Sequence, residues 1–109
     1  MINFEQFKQL EIKTGKVLSV EDHPNADKLY VMKVDMGGEE RQLVAGIRPW
    51  YPDGQSLVGR NIIVVTNLEP AKIRGVESNG MLLAASKPDR SDVVLLTLDR
   101  DLPPGCAIS

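Results

Sequence analysis

Histidine and cysteine occur once each among 109 residues, as His23 and Cys106, and that scarcity removes several kinds of chemistry. One cysteine makes neither an internal disulfide nor a cysteine-based zinc site. One histidine gives no His-rich metal site, and any nucleophilic triad would hang on His23 alone. No GxGxxG or Walker pattern supplies a phosphate-cradling loop. Asp22 and Asp27 resemble a carboxylate pair, but nothing supplies the nucleophile or metal such a pair would serve. The chain is therefore expected to be no enzyme and to need no cofactor. Aromatics are few as well: two Phe, two Tyr and one Trp, too small a set for a stacking platform along single-stranded nucleic acid. No apolar run approaches the ~20 residues of a membrane-spanning helix, and the amino end carries no signal peptide. A cytoplasmic protein is expected.

Excess positive charge is also missing. The formal net charge is −2, from 13 basic and 15 acidic residues. The field of the whole molecule does not attract polyanions, so any nucleic-acid site must be a local patch. Lys13, Lys16, Lys28, Lys33, Lys72 and Arg74 are available for one. The carboxyl-terminal stretch with Asp89, Asp92, Asp99 and Asp101 is acidic.

What is present reads as one domain over residues 1–109, a size that buries a single modest core. Asn3 with Gln6 three residues on forms a capping-box pattern, followed by Phe4, Phe7 and Leu10 at helical spacing, which predicts a short helix over 3–9. Phe4 and Phe7 are expected in the core or at a dimer interface. Strand-like residues run from Ile12 to Val20, and the turn residues His23-Pro24-Asn25-Ala26-Asp27 follow, with His23 expected to be solvated. Leu29–Met36 and Glu39–Ala45 flank Gly37-Gly38, a hairpin loop that tolerates positive φ at both positions. Trp50 and Tyr51 lie in a loop, where they either stack bases or cover a barrel end. One helical turn is expected around Gln55–Val58, then strands at Asn61–Asn67, Gly80–Ala85 and Val93–Leu98. The last segment, with Pro103-Pro104-Gly105, is expected to be a turn plus a short strand. The order predicts an all-β OB-fold barrel with a short N-terminal helix and a short C-terminal extension.

The segment 67–81 is the richest in candidate binding groups. In an extended chain Lys72 and Arg74 project from one face around Ile73. Beside Asn67 and Ser78 they make a row suited to phosphate and ribose, and Gly75 and Gly80 let an RNA backbone approach. Taken by itself the same stretch also reads, and more readily, as a solvated loop whose glycines only turn the chain.

Five pieces together resemble the tRNA-binding domain family: Ile12-Lys13-Thr14-Gly15-Lys16-Val17, His23-Pro24-Asn25-Ala26-Asp27-Lys28-Leu29, Val44-Ala45-Gly46-Ile47, the 67–81 segment and Met81-Leu82-Leu83-Ala84-Ala85. That family includes the carboxyl-terminal domain of bacterial methionyl-tRNA synthetases, stand-alone tRNA-binding proteins and the EMAP II domain. The resemblance reverses the preference for a plain loop. It implies an OB barrel that recognises the outer corner of the folded tRNA with little sequence preference. It implies tRNA contact at Lys28, Asn67, Lys72, Arg74, Ser78 and Met81, with Gly75 and Gly80 as turn glycines. Met81 either packs on the tRNA backbone or belongs to the core. The amino-terminal helix and the tail from Asp99 to Gly105 are similar to stand-alone members, which are homodimers built through their chain ends and which can serve an aminoacyl-tRNA synthetase in trans. The loop Gly46–Asp53 is closer to synthetase domains, whereas Met1 and the helix cap favour a free-standing protein. The family also holds the CsaA chaperones, dimers that bind unfolded polypeptides. This sequence departs from them at His23–Leu29 and at Gly80-Met81.

Overall fold

The computed structural model describes all residues, 1–109. The capping box forms as expected. The Asn3 side chain accepts from the Gln6 amide at 2.9 Å, and the Gln6 side chain accepts from the Asn3 amide at 3.0 Å. Helix α1 spans Phe4–Lys8 and buries none of its residues. Phe4 is 69% and Phe7 37% exposed, so neither belongs to the core of this chain.

Strand β1, Ile12–Asp22, is the spine of the barrel. Its first half pairs antiparallel with β4 (Asn61–Val65) and its second half with β2 (Tyr30–Asp35). A register shift between Val17 and Ser19 leaves Leu18 unpaired. Such a bulge bends the strand and lets it serve two partners of a curled sheet. β2 returns through Gly37-Gly38, both at positive φ, into β3 (Glu40–Ala45), with Asp35 opposite Glu40. β7 (Met81–Leu82) completes the five-stranded sheet β3-β2-β1-β4-β7. β5 (Ala71–Ile73) and β6 (Val76–Ser78) form a separate hairpin, as do β8 (Ala84–Ser86) and β9 (Val93–Leu95).

Between β3 and the β6–β7 region the barrel closes without a regular ladder. The Asn79 amide donates to the Gln42 carbonyl at 2.8 Å, and the Gln42 side-chain amide donates to the Glu77 carbonyl at 2.8 Å. The Val44 amide donates to the Ser78 hydroxyl at 3.0 Å. The architecture is the expected all-β, OB-type barrel with a short helix in front.

Alternation in β2 sends Tyr30, Met32 and Val34 inward, where they meet Val17, Val20, Leu43, Leu57, Ile62 and Val64 in the main core. A smaller cluster of Ile12, Ile63 and Val65 lies beside Leu83, Leu98 and Ile108 of the later chain. The link from β3 to β4 carries two short 3-10 helices, Arg48–Trp50 and Gly54–Leu57; only the second was expected. Trp50 and Tyr51 pack against the main core, which decides that they cover the barrel. Tyr30 donates its hydroxyl to the Tyr51 carbonyl at 2.6 Å, and the Tyr51 hydroxyl accepts from the Leu95 amide at 3.0 Å.

The expected strand over Gly80–Ala85 is split at Leu83, and the one over Val93–Leu98 stops at Leu95. Each piece pairs with a different neighbour: Met81–Leu82 with β4, Ala84–Ser86 with β9. The tail lies along β1, where the Gly105 amide donates to the Thr14 carbonyl and the Ile108 amide to the Ile12 carbonyl, both at 2.8 Å. Asp101 fastens it to Asn61 at 2.8 Å and to Lys16 at 3.3 Å.

Candidate nucleic-acid interface

Two segments far apart in sequence meet at the tip of the β5–β6 hairpin. The turn 25–29 and Arg74 line an open concavity of about 590 Å³, made of Asn25, Ala26, Asp27, Lys28, Leu29 and Arg74. Lys28 and Arg74 thus reach one hollow, which Asp27 also lines. Lys28, Lys72 and Arg74 are exposed and form no salt bridge. Cations outside any salt bridge are the groups a phosphate backbone can use.

The sequence-based reason for pairing Lys72 with Arg74 does not hold. Strand β5 ends at Ile73, and Arg74 sits in the hairpin turn at φ +52°, in the left-handed region. Gly75 follows at φ +90°, a conformation that suits glycine, and a Cβ there would stand in near-open space. Side-chain alternation applies only to extended backbone, so Lys72 and Arg74 do not form one strand row. Lys72 stands opposite Glu77 across the hairpin. Ala71 and Ile73, its neighbours on the other face, line an apolar cleft of about 160 Å³ with Val44, Leu68 and Met81. Met81 is 50% exposed, so it faces out over this cleft and is not a core residue.

Three of the residues singled out between 67 and 81 also have a place within the fold. Ser78 is buried; its hydroxyl accepts from Val44 and donates to the Gly80 carbonyl at 3.0 Å. Asn67 donates its amide to the Gln9 carbonyl at 2.6 Å and accepts from the Glu11 amide at 2.8 Å, which pins the chain after α1. Gly80, at φ +135°, faces the barrel wall: a Cβ there would lie 3.1 Å from both Leu43 and the Val65 carbonyl. Its missing side chain lets the chain pack closely against that wall.

His23 is the residue that sequence reasoning misplaced. It is 4% exposed, not solvated. Its Nδ1 accepts from the Asn25 amide at 3.0 Å, so the ring proton sits on Nε2, 2.9 Å from the Ile73 carbonyl. Turn residues around it could mark a bend, but only the folded chain brings Ile73 to it. Lys33 is also drawn towards the hairpin: it donates at 2.7 Å to Gln42, whose amide reaches Glu77. Of the remaining sequence cations, Lys16 is engaged with Asp101.

No group of three or more His, Cys, Asp or Glu residues is arranged to hold a metal ion. No helix is long and apolar enough to cross a membrane.

Comparison with known proteins adds four findings. Residues 12–107 match the family model described as "Putative tRNA binding domain". The chain is 50% identical over 107 residues to the methionine–tRNA ligase of Pyrococcus furiosus, covering 98% of this chain but 14% of the ligase. Among solved structures it superposes with a TM-score of 0.93 on a MetRS-related protein from Pyrococcus horikoshii, at 35% identity over 100% of this chain and 98% of that one. The chaperone CsaA from Bacillus anthracis superposes at 0.88, with 33% identity over 100% and 99% of the two chains.

Proposed function

The chain belongs to the tRNA-binding domain family, and on that premise we propose that it binds folded tRNA at the outer corner of the L. Recognition is by shape, tolerates sequence, and is carried out by a homodimer that can act in trans for an aminoacyl-tRNA synthetase. The chain spans 14% of the length of the ligase it resembles, so what it shares with that protein is a binding module. The module carries no catalytic chemistry of its own and works in the cytoplasm.

The observation that carries this reading is the meeting of Lys28 and Arg74 at one open hollow in a chain of net charge −2. Lys72 stands on the same hairpin, Met81 faces out over the cleft that Ala71 and Ile73 line, Ser78 ties the base of the hairpin to β3, and the exposed Asn67 offers a further hydrogen-bonding group. Few aromatics suit recognition of a folded RNA surface rather than of unpaired bases in series. For the dimer, the support is the unburied helix α1 together with exposed Ile2, Phe4, Leu10 and Leu102 near the two chain ends. Two modest patches related by symmetry add up to one competent surface.

The test is a salt titration of binding to folded tRNA, with unstructured RNA of equal length as competitor. Preference for the folded form, weakening with salt over a few counterions, is expected. Equal or absent binding to both RNAs would remove the proposal. A second reading, a dimeric peptide-binding chaperone, draws on the likeness to CsaA and on the apolar cleft beside Met81. Suppression of aggregation of an unfolded client without tRNA binding would put it first.

A further inference from the structure

We infer that His23 is the positioning residue of this site: it tethers the β5–β6 hairpin to the 23–29 turn, so that Arg74 and Lys28 act as one unit. The inference rests on the tRNA-binding reading for its functional consequence, and on geometry alone for the tether.

The hairpin needs such a tether. It pairs only with itself as a two-stranded sheet, outside the five-stranded sheet of the barrel. Its base is held to β3 through Ser78, Gln42 and Asn79. Its tip carries Arg74 in the left-handed region, which a side-chain-bearing residue keeps only when its surroundings hold it there. Those surroundings are the 23–29 turn. The His23 Nε2–H donates to the Ile73 carbonyl at 2.9 Å, one residue before the turn. Asn25 and Arg74 then exchange bonds, Asn25 Nδ2 to the Arg74 carbonyl at 3.4 Å and Arg74 Nη2 to the Asn25 carbonyl at 3.3 Å.

The ring works as a bridge with two ends. Its Nδ1 accepts the Asn25 amide and so shapes the residue that clamps Arg74. Its Nε2 holds the strand end from which Arg74 departs. The His23 amide also closes the turn on the Leu29 carbonyl at 3.1 Å, next to Lys28. Of the three polar contacts across this seam, the His23–Ile73 bond is the short one made by a buried side chain; the Asn25–Arg74 pair is long and exposed. Burial shields the first from water competition, so it holds the hairpin when the exposed pair opens. A cation fixed before binding loses less freedom on meeting a phosphate.

Two substitutions separate the ends of the bridge. In His23→Asn the side chain keeps an acceptor for the Asn25 amide but is too short to reach Ile73. In His23→Gln the longer amide can present a donor near the place of Nε2. The first measurement is amide hydrogen exchange on the free protein, which needs no RNA. Faster exchange across 71–78 in His23→Asn, with β1, β2 and β4 still protected and with recovery in His23→Gln, is expected. Unchanged exchange across the hairpin overturns the tether, whatever the protein binds.

The second measurement is a double-mutant cycle with Arg74→Ala for binding to folded tRNA. Arg74→Ala should weaken binding about tenfold in the wild-type background. In the His23→Asn background it should weaken binding about threefold or less, because the guanidinium is no longer held in place. A residue that serves stability alone would give the same loss in both backgrounds, and that result overturns the positioning role. If the wild-type chain binds no tRNA, the functional reading fails, and hydrogen exchange still decides the tether.

Discussion

Arg74 shows how much a single φ angle decides. As a strand residue it would share a face with Lys72; as a turn residue at φ +52° it points its charge to the hollow of Lys28. The two cations should act as separate phosphate contacts. Lys72→Ala with Arg74→Ala is therefore expected to lower the salt slope of tRNA binding by about two, at about one counterion per contact. An unchanged slope and affinity in the folded double variant would remove both residues from the interface. Ser78 behaves in the opposite way. Ser78→Ala leaves the buried Val44 amide without its acceptor, and should cost about 1–3 kcal/mol of stability by chemical denaturation. Its salt slope for tRNA should stay that of the wild type, since its hydroxyl is engaged inside the barrel. A selective loss of slope in that variant would move Ser78 to the surface role first expected of it.

At the scale of elements, the tail and the hairpin are both held by a few polar contacts rather than by a continuous ladder. Asp101 illustrates the tail. Its carboxyl lies below the ordinary value of 3.8 because Asn61 donates to it and Lys16 stands beside it. A lowered value in the folded state means that stability is present above 3.8 and is lost as pH falls below it. Wild type and Asp101→Ala should differ in thermal midpoint near neutrality and converge in strong acid. The gap should be small, since the Asp101 side chain is largely exposed. A constant gap down to strong acid would show that the carboxylate charge is not what holds the tail. Short-range signals explain which elements could be foreseen. The capping box of Asn3 and Gln6 and the Gly37-Gly38 hairpin depend on neighbours within a few positions, and both form. His23 bonds to a residue 50 positions away and Asn67 to residues 56 and 58 positions away, so no local pattern could reveal those partners.

For the whole molecule, the apolar groups left outside the barrel make the strongest demand. Phe4 and Leu10 are exposed on and just after a helix that buries nothing. If they meet a second copy, Phe4→Lys with Leu10→Lys should convert the dimer to a monomer by sedimentation. The thermal midpoint of the barrel should then change little. Affinity for folded tRNA should fall by about 100-fold or more, because two linked patches become one. A variant that remains dimeric would move the interface elsewhere; one that is monomeric with full affinity would make a single barrel sufficient.

The sequence by itself determined the class of the fold, the short capped helix, the β2–β3 hairpin and the family, because alternation, capping and turn chemistry act between near neighbours and the family motifs run in order along the chain. It also set the limits on chemistry, since one histidine, one cysteine and a net charge of −2 hold whatever the fold. Only the tertiary structure decided which of the marked residues face outward. Lys28 and Arg74 meet in one hollow, Met81 opens onto a cleft, Ser78 and Gly80 turn to the protein itself, and Asn67 stays exposed while bonding to the segment after α1. The physical reason is closure of the barrel. It brings segments tens of residues apart within hydrogen-bonding distance, and buried polar groups there must find partners among whatever the closed chain places beside them.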